Sequence, residues 1–338
     1  MKTSLPEGVP LRFVLAVFAV SACTGEARKD TARLDATPAK PTLPAGEGYL
    51  PVADGRIWFR QVGTGAGPPV ILLHGGPGVN SYYLKLFEQL GDDRKVIRYD
   101  QLGGGKSGSF TDTTKMTVAH FVAELDSLRA HLGYDKVFIL GHSWGTMLGF
   151  EYYRAHPEHV AGLILESPCL DAVAWGRSGH RRLQALPDSS RKAVAEAERT
   201  GKFDSRGFKV ATAQYSALYV GRKRPPNPAD ADSTGAGIND LVYGYMWGPS
   251  EFAPRGTLKT FDMTPYLKDV KVPTLFTVGE FDEADTDIVK RQAAMVPGAK
   301  YEVIKGSAHM TPWDAPEQSL QVVRDFLRSV DQARAGKP

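Results

Sequence analysis

The chain has 338 residues, which at about 150 per domain allows two domains or one large one. Its 42% apolar and 23% charged content is that of a globular protein and excludes a disordered or fibrous chain. A net charge of +3 is too small to argue for nucleic acid or an anionic membrane surface as partner, and two cysteines, Cys23 and Cys169, exclude a disulfide scaffold or a cysteine-rich zinc module.

Lys2 and Arg12 precede an apolar run over 13–20 and then Ser21-Ala22-Cys23, the layout of an export signal over 1–22. Eight apolar residues are too few to cross a bilayer core, which takes about 20. Val20-Ser21-Ala22-Cys23 also resembles the bacterial lipobox, whose cysteine is lipidated and becomes the mature first residue. A bacterial periplasmic or cell-envelope lipoprotein anchored to membrane only through Cys23 is therefore expected; an ordinary cleaved signal, with Cys23 incidental, is the alternative. Residues 23–46 are rich in Ala, Thr, Pro and charge without apolar periodicity, which predicts a flexible spacer. Cys169 is then a buried, inert free thiol.

Short apolar runs at 56–62, 70–73, 95–99, 137–140 and 163–165 read as strands, and 274–278 and 301–304 resume the series. Residues 118–132 carry a helical stripe from Val118 through Phe121, Leu125 and Leu128 to Leu132, and 320–330 repeat that pattern. Strand–helix alternation predicts an α/β protein with a mostly parallel, doubly wound sheet. The interval 168–262 breaks the rhythm with a charged helical stretch at 189–200, a proline-rich link at 224–228 and an aromatic run at 243–247. It predicts a mostly helical cap inserted into a core made of 47–167 and 263–338.

Gly141-His142-Ser143-Trp144-Gly145 falls between a strand and a helical segment at 146–154. A serine on such a turn takes a strained backbone, and flanking glycines remove side chains that would clash. The turn aims the Ser143 hydroxyl at a helix N-terminus, where partial positive charge favours an oxyanion. His74-Gly75-Gly76-Pro77-Gly78 follows an earlier strand, and its glycines let a backbone N–H approach a carbonyl. The Gly76 and Trp144 amides are thus the candidate oxyanion donors. His74 itself reads as a packed histidine that orders the loop.

Asp282 and His309 each follow a strand, so Ser143, Asp282 and His309 come in the α/β-hydrolase order of nucleophile, acid and base. His142 points elsewhere by strand alternation, and His120, His131, His156 and His159 lie on helical or connecting segments. Gly103–Gly108 satisfies a dinucleotide fingerprint, but polar loop follows where a helix N-terminus is required, and Asp100 occupies the first glycine of a P-loop. Neither nucleotide site is expected, nor any cofactor or metal.

With these residues in place, the chain resembles the proline iminopeptidase family of α/β hydrolases over nearly all of 49–330. The resemblance rests on 74–78, on Tyr99-Asp100-Gln101 with the glycines and Ser107 that follow, on 141–145 and on 279–283. The stretch Met246-Trp247-Gly248-Pro249-Ser250-Glu251-Phe252 is similar to the branch of the tricorn-interacting aminopeptidase and bacterial amino-acid amidases. That resemblance implies that Glu251 and Glu283 hold a substrate's free α-amino group. From the residues alone, Glu251 is a solvated cap charge and Glu283 an acid at the start of a helix over 285–295. Leu102 stands where the family carries arginine, and Lys106 takes the basic position before the serine. Tyr243, Tyr245 and Trp247 read as packing, with Trp247 the best candidate for lining the substrate pocket.

The expected function is a serine hydrolase that releases an N-terminal residue, proline or another small or hydrophobic one, from short peptides or amides through an acyl-enzyme. The same triad could serve an amino-acid amidase or esterase. A non-catalytic surface lipoprotein is the alternative of another class, disfavoured because binding alone would not require Ser143, Asp282 and His309.

Overall fold

The computed structural model describes residues 45–225 and 227–336. The export signal, Cys23 and almost all of the spacer lie outside the described residues. Among the described residues, one sheet contains β1 (Gly46–Val52), β2 (Gly55–Val62), β3 (Val70–Leu73), β4 (Val96–Asp100), β5 (Val137–His142), β6 (Val160–Glu166), β7 (Thr274–Gly279) and β8 (Lys300–Ile304). They run in the spatial order β1-β2-β4-β3-β5-β6-β7-β8. β2 is antiparallel to β1 and β4, and every other pairing is parallel.

β3, β4, β5 and β6 are buried along their whole length, as parallel strands covered on both faces must be. Alternation splits β3 between two cores: Ile71 and Leu73 enter one apolar cluster, Val70 and Leu72 the other. Helices α1 (Val118–His131) and α2 (Trp144–Ala155) cover the first face. Thr117 caps α1 by accepting the His120 amide at 3.2 Å.

Between β6 and β7 the chain forms α3 (Ala172–Arg182), α4 (Asp188–Thr200), α5 (Arg206–Tyr219), α6 (Pro228–Ala236) and α7 (Asp240–Met246). α4 and α5 enclose an apolar cluster separate from those on the sheet, built on Val194, Phe208, Tyr215 and Phe252. The two ends of this excursion are tied: Ala172 N–H donates to Phe261 O at 2.9 Å and Met263 N–H to Leu170 O at 2.8 Å. After β7 come α8 (Thr286–Met295), then β8, the single turn α9 (Thr311–Asp314) and α10 (Pro316–Ala335). Val323, Phe326, Leu327 and Val330 of α10 cover the second sheet face.

The structure corrects the sequence reading in three places. β1 occupies the end of the expected spacer and the residues after it. Gly48 and Pro51 hide its pattern, only Leu50 is buried, and pairing with β2 makes it a strand. Tyr82–Asp92, given no element from sequence, is a 3-10 helix burying Tyr83, Leu84, Phe87 and Leu90. α10 extends beyond the expected 320–330 at both ends, because its outer turns carry polar residues that no apolar stripe marks.

Candidate active site

Ser143 follows β5 and precedes α2, with φ 54° and ψ −121°. That backbone is held by tight packing around it. A Cβ on Gly141 would lie 2.2 Å from Gly145 O, and one on Gly145 2.2 Å from Leu73 O, so no larger residue fits at either position. Ser143 N–H donates to Glu166 O at 3.1 Å, which ties the turn to the end of β6.

Asp282 and His309 lie in the loops after β7 and β8 and make direct contact. His309 Nδ1 donates to Asp282 Oδ1 at 2.8 Å, leaving Nε2 as the ring's basic nitrogen. Asp282 is fully buried, and its two oxygens also accept from Ala284 N at 2.8 Å, Ser167 Oγ at 2.6 Å and Gly279 N at 3.1 Å. Burial alone would raise its carboxyl; the His309 charge and the bonds from His309, Ser167 and Ala284 outweigh burial and hold it below the usual carboxylate range. Burial likewise works against a charged His309, but Asp282 foremost, with Glu251 and Glu166, raises its pKa. The C-terminal carbonyl of α5 joins the two loops: Tyr219 O accepts from Glu283 N and His309 N, both at 3.2 Å.

The residue before Ser143 touches this pair: the His142 ring lies 4.6 Å from that of His309. His142 therefore does not point away from the site, as alternation suggested, but packs on the back of His309. Ser143, Asp282 and His309 thus follow β5, β7 and β8, at the carboxyl ends of parallel strands of one sheet with β6 between the first two.

Gly76 has φ 110° and sits where a Cβ would come within 2.9 Å of Val79 N. His74 Nδ1 donates to Gly75 O at 2.8 Å while Nε2 accepts Gln101 N–H at 3.0 Å, so the ring is neutral with one tautomer. Pinning Gly75 C=O turns the Gly76 N–H of that peptide plane the opposite way. Trp144, first residue of α2, has an amide with no earlier helical carbonyl to bond. Its indole donates to Gln101 Oε1 at 2.8 Å, joining the two loops.

Glu283 is 1% exposed, and among the described residues neither of its carboxyl oxygens has a hydrogen-bond partner. It is not the helix-starting acid: Asp285 caps α8, accepting the Asp287 and Ile288 amides. Burial, then the charges of Glu251 and Asp282, push the Glu283 carboxyl well above the usual range. Burial also raises Glu251, against a hydrogen bond from the Tyr243 hydroxyl. The Tyr215 hydroxyl lies near enough to Glu283 to work against the rise of its carboxyl, though neither group completes a hydrogen bond among the described residues. Arg182, whose charge also acts on Glu283, is engaged elsewhere, with Nε donating to Asp282 O at 3.1 Å and Nη1 3.5 Å from Asp285. A cation that entered between the Glu283 and Glu251 carboxyl groups would relieve the rise that each of their environments imposes.

Trp247 is buried one ring away from the histidine: it packs edge-on at 6.0 Å against Trp175, which packs edge-on at 5.5 Å against His309. Trp175, Tyr243, Ser167 and Tyr83 at this site were not singled out from sequence as functional. No local pattern marks them: Ser167 meets Asp282 115 positions on, Tyr83 meets His142 59 positions on, Trp175 meets His309 from another segment, and only Tyr243 has its partner, Glu251, nearby in the chain. Cys169 is buried, and burial with the nearby Glu283 and Glu251 charges pushes its thiol up. The dinucleotide-like 103–108 stretch continues as loop and ends at no helix, as its sequence required.

Sheet order, strained serine turn and Asp–His pair define an α/β hydrolase, and residues 68–316 match the family model for the alpha/beta hydrolase fold. The chain is 41% identical over 286 residues to the proline iminopeptidase of Heyndrickxia coagulans, spanning 84% of this chain and 99% of that protein. It superposes on the crystal structure of VinJ with a TM-score of 0.80 at 32% identity, covering 85% of this chain and all of that one. For the Mycobacterium smegmatis proline iminopeptidase the TM-score is 0.77 at 30% identity, covering 86% and 100%. The chain belongs to the proline iminopeptidase family of α/β hydrolases, and it is an aminopeptidase.

Proposed function

We propose that the enzyme releases one N-terminal residue, proline or another small or hydrophobic one, from short peptides or amides through an acyl-Ser143 intermediate. His309 Nε2 takes the Ser143 proton as Oγ attacks the carbonyl carbon, and Asp282 stabilises the imidazolium that forms. The Gly76 and Trp144 amides hold the oxyanion. His309 then gives its proton to the leaving amine, the C–N bond breaks, and water activated by the same ring hydrolyses the ester. Glu283 and Glu251 receive the substrate's α-ammonium, while Trp175, with Trp247 behind it, walls the acyl side.

The buried Glu283 carboxyl, without a hydrogen-bond partner among the described residues and under the influence of Glu251, carries this reading, because crowded acids are stabilised by a cation that binds there. The test compares an aminoacyl anilide, the matching amino-acid amide, a dipeptide and the N-acetylated anilide. Selective turnover of the free-amine substrates supports the reading; equal turnover of the acetylated one rejects it. Amide turnover without peptide turnover favours the amidase. Lipidation at Cys23 goes with this proposal as an address, tested by mass spectrometry of the mature N-terminus.

A further inference from the structure

Three hydrogen bonds run behind the reacting groups and link the glycine loop to the backbone of the histidine. Gly75 N–H donates to the Tyr83 hydroxyl at 2.7 Å. Tyr83 Oη lies 2.8 Å from His142 Nδ1, and His142 Nε2 lies 2.9 Å from His309 O. A carbonyl can only accept, so His142 Nε2 carries a proton. Burial, with His309 alongside, pushes the His142 pKa down to about 3, so the ring is neutral and Nδ1 accepts. Tyr83 must then donate its single proton to Nδ1 and accept from Gly75. The chain has one possible direction, from Gly75 N–H through Tyr83 and His142 to His309 C=O.

The parts are tightly enclosed. Tyr83 is 4% exposed and His142 2%, and the Tyr83 ring packs edge-on to the His142 ring at 5.1 Å. A Cβ on Gly75 would lie 3.1 Å from Ser143 Cβ, 3.2 Å from Tyr83 Oη and 3.4 Å from His142 Nδ1. Nucleophile, glycine loop and chain therefore share one small space. The His309 carbonyl also takes Thr311 N–H at 2.9 Å, and Ser167 Oγ, whose proton goes to Asp282, lies 3.2 Å from it.

We propose that Tyr83 and His142 are positioning residues that hold the oxyanion loop and the His309 backbone in fixed register. This rests on the reading of Ser143 and His309 as nucleophile and base. It adds that neither Tyr83 nor His142 touches substrate, and that the two act as one unit through a neutral, unidirectional chain. Loss of either end lets the Gly75 and His309 segments drift by fractions of an ångström, which costs rate rather than binding.

The test measures kcat, KM, the rate of Ser143 labelling by a fluorophosphonate, and thermal stability in Y83F, H142L, H142Q and the Y83F/H142L double variant. Expected are a fall in kcat and in labelling rate of about 10- to 100-fold with KM within about twofold. The double variant should be no worse than the worse single one, as for members of one network. H142Q, whose amide can still donate to the His309 carbonyl, should recover part of the rate that H142L loses. Additive losses, a change confined to KM, or no rescue by H142Q would overturn the proposal. If H142L does not fold, Y83F with H142Q still decides it. S143A separates the two readings: an inactive S143A beside an unaffected Y83F removes only the chain, whereas an active S143A removes the mechanism on which it rests.

Discussion

Glu283 Oε1 stands 3.8 Å from His309 Nε2, the nitrogen that faces away from Asp282. The imidazole therefore sits between two adjacent carboxyl groups of the same loop, one hydrogen-bonded to it and one held back. Asp282 is saturated with donors and ionised, whereas Glu283 has none among the described residues and is driven toward the protonated form. Consecutive residues thus carry opposite electrostatic tasks because their hydrogen-bond environments differ.

Replacing Glu283 with Gln removes the charge that would pair with an ammonium. Each charge-assisted hydrogen bond is worth about 1.5–3 kcal/mol, so kcat/KM on a free-amine anilide should fall about 10- to 150-fold. Glu251→Gln should act in the same direction. Turnover of the N-acetylated anilide should change little in either variant, and the ratio of the two substrates is the measurement.

The same substitution should alter the pH dependence of stability. Glu283 has a carboxyl raised on folding, so the folded state binds its proton more tightly than the unfolded state does. Its contribution is least unfavourable below the unfolded value of 4.5 and becomes destabilising as pH rises above it. Glu283→Gln should therefore be more stable than the parent at about pH 8, with the gap closing toward about pH 5. Thermal unfolding of both proteins at the two pH values checks this, and a constant gap would contradict it.

His309 must be neutral to take the serine proton. Its pKa is raised, so fluorophosphonate labelling of Ser143 should rise with pH through a midpoint above 6.5 and be lost as pH falls through it. This probe carries no amine, so the limb reports the histidine rather than the ammonium site. Glu251→Gln removes one of the charges that favour the imidazolium and should move the midpoint down.

Ser143 at φ 54° keeps a conformation that glycine adopts without strain. Ser143→Gly should abolish hydrolysis and yet gain about 1 kcal/mol of stability, which chemical denaturation would show. Ser143→Ala, with its Cβ retained, should lose activity without that gain.

Gly145→Ala should be among the most damaging single changes. The new Cβ would lie 2.2 Å from a backbone oxygen of β3, which cannot move without disturbing the central sheet. A loss of about 3 kcal/mol or more is expected by denaturant titration.

The parallel strands were legible because burial on both faces demands near-continuous apolar runs, and the serine turn because its glycines are required within five residues. Asp282 and His309 were found by their places after strands. β1 was not, because an edge strand with one buried residue has no pattern until its neighbour exists. The 3-10 helix that carries Tyr83 was missed although Tyr83, Leu84, Phe87 and Leu90 recur at helical spacing, a stripe the sequence did hold.

Sequence by itself determined most of the strand-and-helix order, the glycine-flanked serine turn between strand and helix, and the places of Asp282 and His309 after strands, since each depends on local periodicity or on a short spacing. Tertiary structure alone decided that Glu283 lacks a hydrogen-bond partner among the described residues while Asp282 has four donors, that Trp175 stands between His309 and Trp247, and that His142 is wired to His309. The physical reason is that hydrogen-bond saturation and desolvation are properties of the space around an atom. Segments separated by a hundred residues or more build that space.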